Sequence, residues 1–205
     1  MATKKLFPGL IFLLFAMTLF SLQCKKRFGC ADTVYNFEIG VKAYPDIDSI
    51  TVGDTIWMEV NTSDVLKDVS TNKIIDYSKT ENLGSVVSFQ QLYNDSFNVK
   101  ALKKFKQMLV KGQEAVSTMD PDLFKEYLFD DINGLYQFKL GIVPLDTGVF
   151  RILFSNAANV YRKSDRCAKA SFTINFEKTN QHYYLYPEFQ GSPNDKSGIY
   201  YFKVK

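Results

Sequence analysis

From Thr33 to Ala43 the chain reads TVYNFEIGVKA, with Tyr35, Phe37, Ile39, Val41 and Ala43 on one face and Asn36, Glu38 and Lys42 on the other. A period of two predicts a strand with one buried face. PDIDS then turns the chain, and ITVGDTIWMEV reads as two short extended pieces around a Gly-Asp turn, with Trp57 expected in the core. NTSDVLKDVSTN is polar and reads as a loop, KIIDYS as a short strand and LGSVVSFQQLY as a longer one. Residues 98–110 carry two patterns. Val99, Leu102, Phe105 and Leu109 have the spacing of one helix face, whereas FKQMLVKG also fits a strand, and the β neighbours favour the strand. QEAVSTMDPDLFKEYLFDD reads as a connection with a short helix after Asp120-Pro121. The clearest β signal is LYQFKLGIV and VFRILFS flanking PLDTG, followed by ASFTINFE with Phe172, Ile174 and Phe176 on one face. HYYLYPEF and GIYYFKVK read as a C-terminal aromatic hairpin joined by QGSPNDKS. Many short strands between turn signals predict an all-β sandwich.

The first thirty residues follow another pattern. Lys4 and Lys5 precede Leu6–Leu22, an almost wholly apolar run interrupted by Pro8 and Gly9, which is the layout of an export signal. It is at the short end of what spans a bilayer, about 18 residues or more, and lysines flank it on both sides. LFSLQC, ending in Cys24, resembles the lipobox of bacterial lipoproteins, and its loose form is similar to that of Bacteroidota lipoproteins. Ser21 and Gln23 depart from the usual residues at their positions. The resemblance implies that Cys24 receives diacylglycerol and a further acyl chain such as palmitate, and that the leader is cut before it. Several chains hold a membrane far more firmly than one, since each buried CH₂ contributes about 0.8 kcal/mol. Two competing readings are ordinary cleavage after Ala31, which would leave Lys25, Lys26 and Arg27 in the cleavage region, and an uncleaved anchor. The expected division is a signal peptide helix over 1–23, a lipidated tether over 24–32 and one domain over 33–205.

Export changes the reading of the other two cysteines. In an oxidising compartment a thiol pair tends to form a disulfide, so Cys30 and Cys167 are expected to be bridged; two unrelated thiols is the competing reading. Removing the leader also changes the charge. It holds two lysines and no acid, so the +3 of the whole chain falls to +1. A nearly neutral domain lacks the basic stripe that a nucleic-acid footprint needs, and no nucleic-acid partner is expected.

Candidate chemistry is sparse. A nucleophilic triad would have to use His182, the single histidine, which reads as a plain surface or strand residue. No GxSxG or phosphate-binding glycine loop occurs, and one histidine with a bridged cysteine pair does not make a zinc site. Asp46 and Asp48, and Asp130, Asp131 and Asn133, lack the spacing of an EF-hand loop and read as turn-forming acids. No cofactor, metal or catalytic residue is expected. The functional hint is aromatic: Tyr183, Tyr184, Tyr186, Tyr200, Tyr201 and Phe202 crowd the expected hairpin. Exposed tyrosines stack on sugars or anchor protein interfaces, and alternation places Tyr184 and Tyr186 on one face with Tyr183 on the other. Cross-strand packing within the sheet is the competing account.

Two resemblances bear on the fold. Asp-x-Gly-x-aromatic in PLDTGVF resembles the E–F corner of immunoglobulin-like sandwiches, with Phe150 where a tyrosine would supply a hydroxyl bond. ADTVYNFEIGVKAYPDIDSITVGDTIWMEVNTS, KIIDYS and TNQHYYLY look like pieces of uncharacterised Bacteroidota lipoproteins with immunoglobulin-like folds. That resemblance implies no catalytic residues. The expectation is a non-catalytic, membrane-anchored envelope lipoprotein acting as a binding or assembly module for an envelope protein or glycan. Its alternatives are a carbohydrate-binding or glycan-processing accessory at the cell surface and a purely structural envelope component. Surface-export signals of such lipoproteins resemble an acidic run after the lipidated cysteine; Lys25-Lys26-Arg27 is the opposite, which favours the outer membrane facing the periplasm.

Overall fold

A computed structural model describes residues 33–176, 181–186 and 197–205. The expected signal peptide, Cys24, Cys30 and the tether lie outside these residues. No helix among the described residues is long and apolar enough to cross a membrane.

The expected first strand forms as β1 (Thr33–Tyr44), with Phe37, Ile39, Val41 and Ala43 buried. The Gly-Asp segment separates β2 (Ser49–Ile50) from β3 (Ile56–Ser63). Within β3 the alternation runs opposite to expectation for its tryptophan. Ile56, Met58 and Val60 face inward, and Trp57 lies half-buried on the outer face. It packs over Gly141, where an added Cβ would sit 2.8 Å from the indole, and beneath the Lys139 ammonium, 5.1 Å from the ring centroid. The polar stretch expected as a loop instead yields β4 (Val65–Lys67), which pairs with β5 (Ile74–Asp76) as a small ribbon. Short β6 (Thr80–Glu81) precedes the expected β7 (Gly84–Tyr93).

Residues 98–110 resolve as strands, β8 (Ser96–Lys100) and β9 (Phe105–Lys111), with a single 3-10 turn over Leu102–Lys104 between them. The connection expected to carry a helix holds three strands: β10 (Gln113–Ala115), β11 (Phe124–Leu128) and β12 (Asp130–Ile132). Asp120-Pro121 begins a turn closed by the Leu123 and Phe124 N–H groups donating to the Asp120 carbonyl. β13 (Leu135–Pro144) and β14 (Gly148–Phe154) form as expected, followed by the unanticipated β15 (Ala157–Arg162) and by β16 (Asp165–Phe176). β17 (Ile199–Val204) follows, and the described part of the preceding aromatic segment, residues 181–186, does not form the first strand of the expected hairpin. Among residues 181–186 there is no strand; Tyr183–Leu185 is a 3-10 turn entered through His182 in the left-handed region, φ 54°. β17 pairs antiparallel with β14; on its other edge β2 pairs in parallel only at Lys203 and Val204, and the Tyr201 N–H donates to the Gln181 carbonyl at 3.3 Å.

The strands make two large sheets. One follows the order β12-β13-β3-β1-β16-β15-β6 with β9 also on β13; the other follows β10-β11-β7-β14-β17-β2 with β8 also on β7. Their inner faces interdigitate through aromatic rings, as in Phe138 against Tyr127 and Phe105 against Phe150, with centroids 5.4 and 4.9 Å apart. Such pairs contribute about 0.5–1.5 kcal/mol beyond the area they bury.

The first sheet also curls until its ends approach. β6 and β12 stand at opposite ends of the strand order, yet the Thr80 N–H donates to Asp131 Oδ2 at 3.1 Å. Tyr77 fills the curl. Its ring meets Phe37 and Phe172, its hydroxyl donates to the Val160 carbonyl at 2.9 Å, and its own carbonyl accepts the Tyr136 hydroxyl. Burial pushes the Tyr77 hydroxyl up to about 12. PLDTG carries the chain from the first sheet to the second. Lys104 Nζ braces that corner, donating to Asp146 Oδ2 and Gln91 Oε1, both at 2.7 Å. Phe150 enters the core against Phe105 and Phe202.

Candidate functional site

Aromatic density at the C-terminal end marks the first candidate, and burial settles its character. Tyr200 and Phe202 point into the main core. Tyr201 points to the opposite face of β17, where an exposed residue is expected, yet it is only 1% exposed. The Tyr183–Tyr186 segment folds over it and, with Phe97, builds a small second core. Arg151 closes one side, its guanidinium 4.9 Å from the Phe97 ring. Of the five tyrosines expected at a binding surface, Tyr183, Tyr200 and Tyr201 are therefore packing residues, Tyr186 is half-buried and Tyr184 alone is exposed, at 61%. The physical reason is the turn at His182: it reverses the segment onto the sheet instead of extending it as a strand.

His182 is buried rather than on the surface. Its Nδ1 lies 2.8 Å from the Tyr201 carbonyl, its Nε2 lies 3.6 Å from Asp46 Oδ1, and its ring meets those of Tyr184 and Tyr200. The neighbouring contacts have the same sense. The Tyr200 hydroxyl donates to the Ile47 carbonyl at 3.2 Å, and the Tyr184 hydroxyl donates to Asp48. That bond pushes the Tyr184 hydroxyl up to about 12. Together they fasten the turn over residues 45–48 to the aromatic segment. Asp46 and Asp48 therefore act as anchors for that segment.

The second acidic group is likewise structural. Asp130 Oδ2 accepts the Gly112 N–H at 2.7 Å and Asp131 Oδ2 accepts the Thr80 N–H. Among the described residues no group of three or more His, Cys, Asp or Glu is placed to hold a metal ion. Close by, Asp64 is 6% exposed, and burial, then the charges of Asp131 and Asp76, raise its pKa. A raised native value means that the folded state keeps a proton which the unfolded chain has lost. Stability from this group falls as pH rises through that interval. Asp64→Asn should thus melt a few °C above the parent at pH 7, with the gap closing below the ordinary aspartate range, in a pH series of thermal scans. Asp68 behaves oppositely. Its carboxylate takes the Asn36 N–H at 2.7 Å and the Thr71 N–H at 2.8 Å, which lowers its pKa, so its contribution is lost as pH falls.

The residues that reasoning from sequence missed lie elsewhere. Leu153, Ser155, Asn156, Thr173, Asn175 and Ser197 line part of a pocket of about 410 Å³ at the end of β14 and β16. Asn175 is 7% exposed although it alternates outward with the exposed Thr173. The only signal in sequence is an asparagine within an otherwise regular FTINF strand. Cys167 is half-buried in β16 and is not a free thiol; Cys30 lies outside the described residues. No protein-family model matches this chain, and no curated protein matches it.

Proposed function

We propose that this chain is an exported lipoprotein, anchored through Cys24, whose folded domain is a non-catalytic binding or assembly module of the cell envelope. The observation that carries the non-catalytic reading is the commitment of the single histidine to packing. Its ring spans the Tyr201 carbonyl, the Asp46 carboxylate and two tyrosine rings, an arrangement that fixes segments in place. Support for a binding role comes from Tyr184, an exposed aromatic held rigid by Asp48 and by the His182 ring. Rigid aromatic anchors lose little entropy on binding and are enriched at interfaces.

The immunoglobulin-like relationship belongs to this proposal. It is supported by two facing sheets and by the PLDTG corner that joins them. The larger strand number and the two parallel pairs, β1 with β16 and β17 with β2, depart from the pattern of about 7–9 antiparallel strands. Lys25-Lys26-Arg27 after the proposed lipidation site supports a position on the outer membrane facing the periplasm.

A photo-crosslinking residue at position 184 in intact cells tests the binding role, with the same residue at Val116, 98% exposed, as control. A discrete adduct from position 184 and none from 116 is expected. Absence of an adduct at 184, or identical adducts from both positions, contradicts the proposed surface.

A further inference from the structure

The ribbon of β4 and β5 ends in a tip that the rest of the domain leaves uncovered. From Lys67 to Ile74 the chain reads KDVSTNKI, and every residue of it except Asp68 is exposed. Val69 and Ile74 are each more than half exposed. Lys67 stands opposite Ile74 in register, and neither Lys67 nor Lys73 has a carboxylate partner among the described residues. Asp68, the one acid of the tip, is 1% exposed and faces inward, its carboxylate accepting the Asn36 and Thr71 N–H groups. The ribbon's other acid, Asp76, lies two rungs back, opposite Val65. The tip therefore presents aliphatic and cationic groups together.

Its place in the fold says what it meets. The Val69 N–H donates to the Asn36 carbonyl at 2.8 Å, which holds the tip beside the start of β1. Val34, nearly half exposed, alternates outward with Asn36 on that strand. Thr33 opens β1, and nine positions (33 − 24) separate it from Cys24, a reach of at most about 30 Å. From Thr33, β1 runs 12 residues to Tyr44, about 40 Å away. At that far end the Gly53 N–H donates to the Pro144 carbonyl, and the exposed aliphatics Ile47, Val52 and Leu145 lie within two residues of Asp46, Asp48, Asp54 and Asp146. Aliphatics beside unpaired lysines are thus found at the end nearer Cys24. That combination suits a bilayer with anionic headgroups, which holds a surface by buried apolar area and by attraction of its basic groups.

We propose that the β4–β5 tip rests on the anionic bilayer surface that Cys24 enters, with Val69 and Ile74 among the headgroups and Lys67 and Lys73 facing lipid phosphates. The proposal rests on the lipid-anchored reading and adds an orientation to it. The turn over residues 45–48, to which Tyr184 is bonded through Asp48, then faces away from the membrane, where a partner meets it.

The test places the protein from cells in vesicles of phosphatidylethanolamine and phosphatidylglycerol that include a lipid with a nitroxide quencher on its headgroup. Val69→Trp and Ile74→Trp report from the tip and Val52→Trp from the far end, all at exposed positions, each read against the Trp57 signal of the parent. Quenching at 69 and 74 and none at 52 is expected, and vesicles of phosphatidylcholine with the same quencher should lose it. Lys67→Gln with Lys73→Gln in the Val69→Trp chain should lower the ratio of docked to undocked molecules about thirtyfold. Equal quenching at 69 and 52, or none at either while the protein floats with the vesicles, overturns the docking and leaves the anchor standing. A tip unquenched in vesicles that crosslinks to a protein in cells has a protein occupant, which also overturns it. A chain without acyl groups that stays out of the vesicle fraction removes both the docking and the anchor.

Discussion

Cys167→Ser is expected to lower the thermal midpoint of the oxidised protein by about 10 °C or more, and a reductant should do the same to the parent. The proposed partner is Cys30, and the register of the first strand explains why. β1 lies parallel to β16 with Thr33 beside Ala168. Cys167 is the residue before Ala168, and Cys30 is three residues before Thr33. Neighbouring strands are about 4.8 Å apart, three residues span at most about 10 Å, and a disulfide needs Cα atoms about 4.4–6.8 Å apart. Three residues of chain before Thr33 are thus long enough to span to Cys167, which is why a Cys30–Cys167 bridge is proposed. Joining them closes a loop of more than 100 residues, for which the chain-entropy model gives about 5 kcal/mol. A domain of this size loses about 2–4 °C per kcal/mol. Cys30→Ser should reproduce the loss, and the double variant should be no worse than either single one. Additive losses from the two substitutions would place the cysteines in separate roles.

Gly198→Ala is the second substitution with a large expected effect. A Cβ there would lie 2.1 Å from the Phe154 carbonyl oxygen and 2.9 Å from that of Ile174. Both atoms are backbone, one in β14 of the second sheet and one in β16 of the first, so neither can swing aside as a flexible side chain would. Relief requires the two sheets to part where the 197–199 segment joins them. Overpacking costs about 1–3 kcal/mol where a core can adjust, and a backbone contact on both sides puts this site at about 3 kcal/mol or more. Gly53 is the informative contrast. It has φ +93° but no atom within 4 Å of an added Cβ. Gly53→Ala should therefore cost only backbone strain, about 1–2 kcal/mol. Denaturant unfolding of the two variants checks the order; equal losses would refute the close-approach account.

Both substitutions act where distant parts of the chain meet, and these are the features hardest to read in sequence. The long strands were legible because one face of each is buried: Phe37, Ile39 and Val41 in β1, and Phe172, Ile174 and Phe176 in β16, keep strict period two. β10 and β12 were not, because QEA and DDI are three-residue edge strands with little to bury. Trp57 misled because its place inside an extended piece suggests the core, whereas the phase of Ile56 and Met58 decides its face. At the C-terminus, Tyr200 and Phe202 are inward residues of a true strand, but Tyr183–Tyr186 obtained its burial by folding across the sheet. No local pattern encodes that reversal. Asn175 shows the same limit: alternation places it outward, and only the return of Ser197–Ile199 encloses it.

The central claim is that this domain works at a membrane to which Cys24 fastens it. The most direct measurement is detergent-phase partitioning of the protein from cells, with mass spectrometry of its N-terminal peptide, for the parent and for Cys24→Ala. The account predicts a detergent-phase protein beginning at Cys24 and carrying acyl chains, with Cys24→Ala lacking that modification. An aqueous-phase protein beginning at Asp32, or an unmodified chain beginning at Met1, would contradict it.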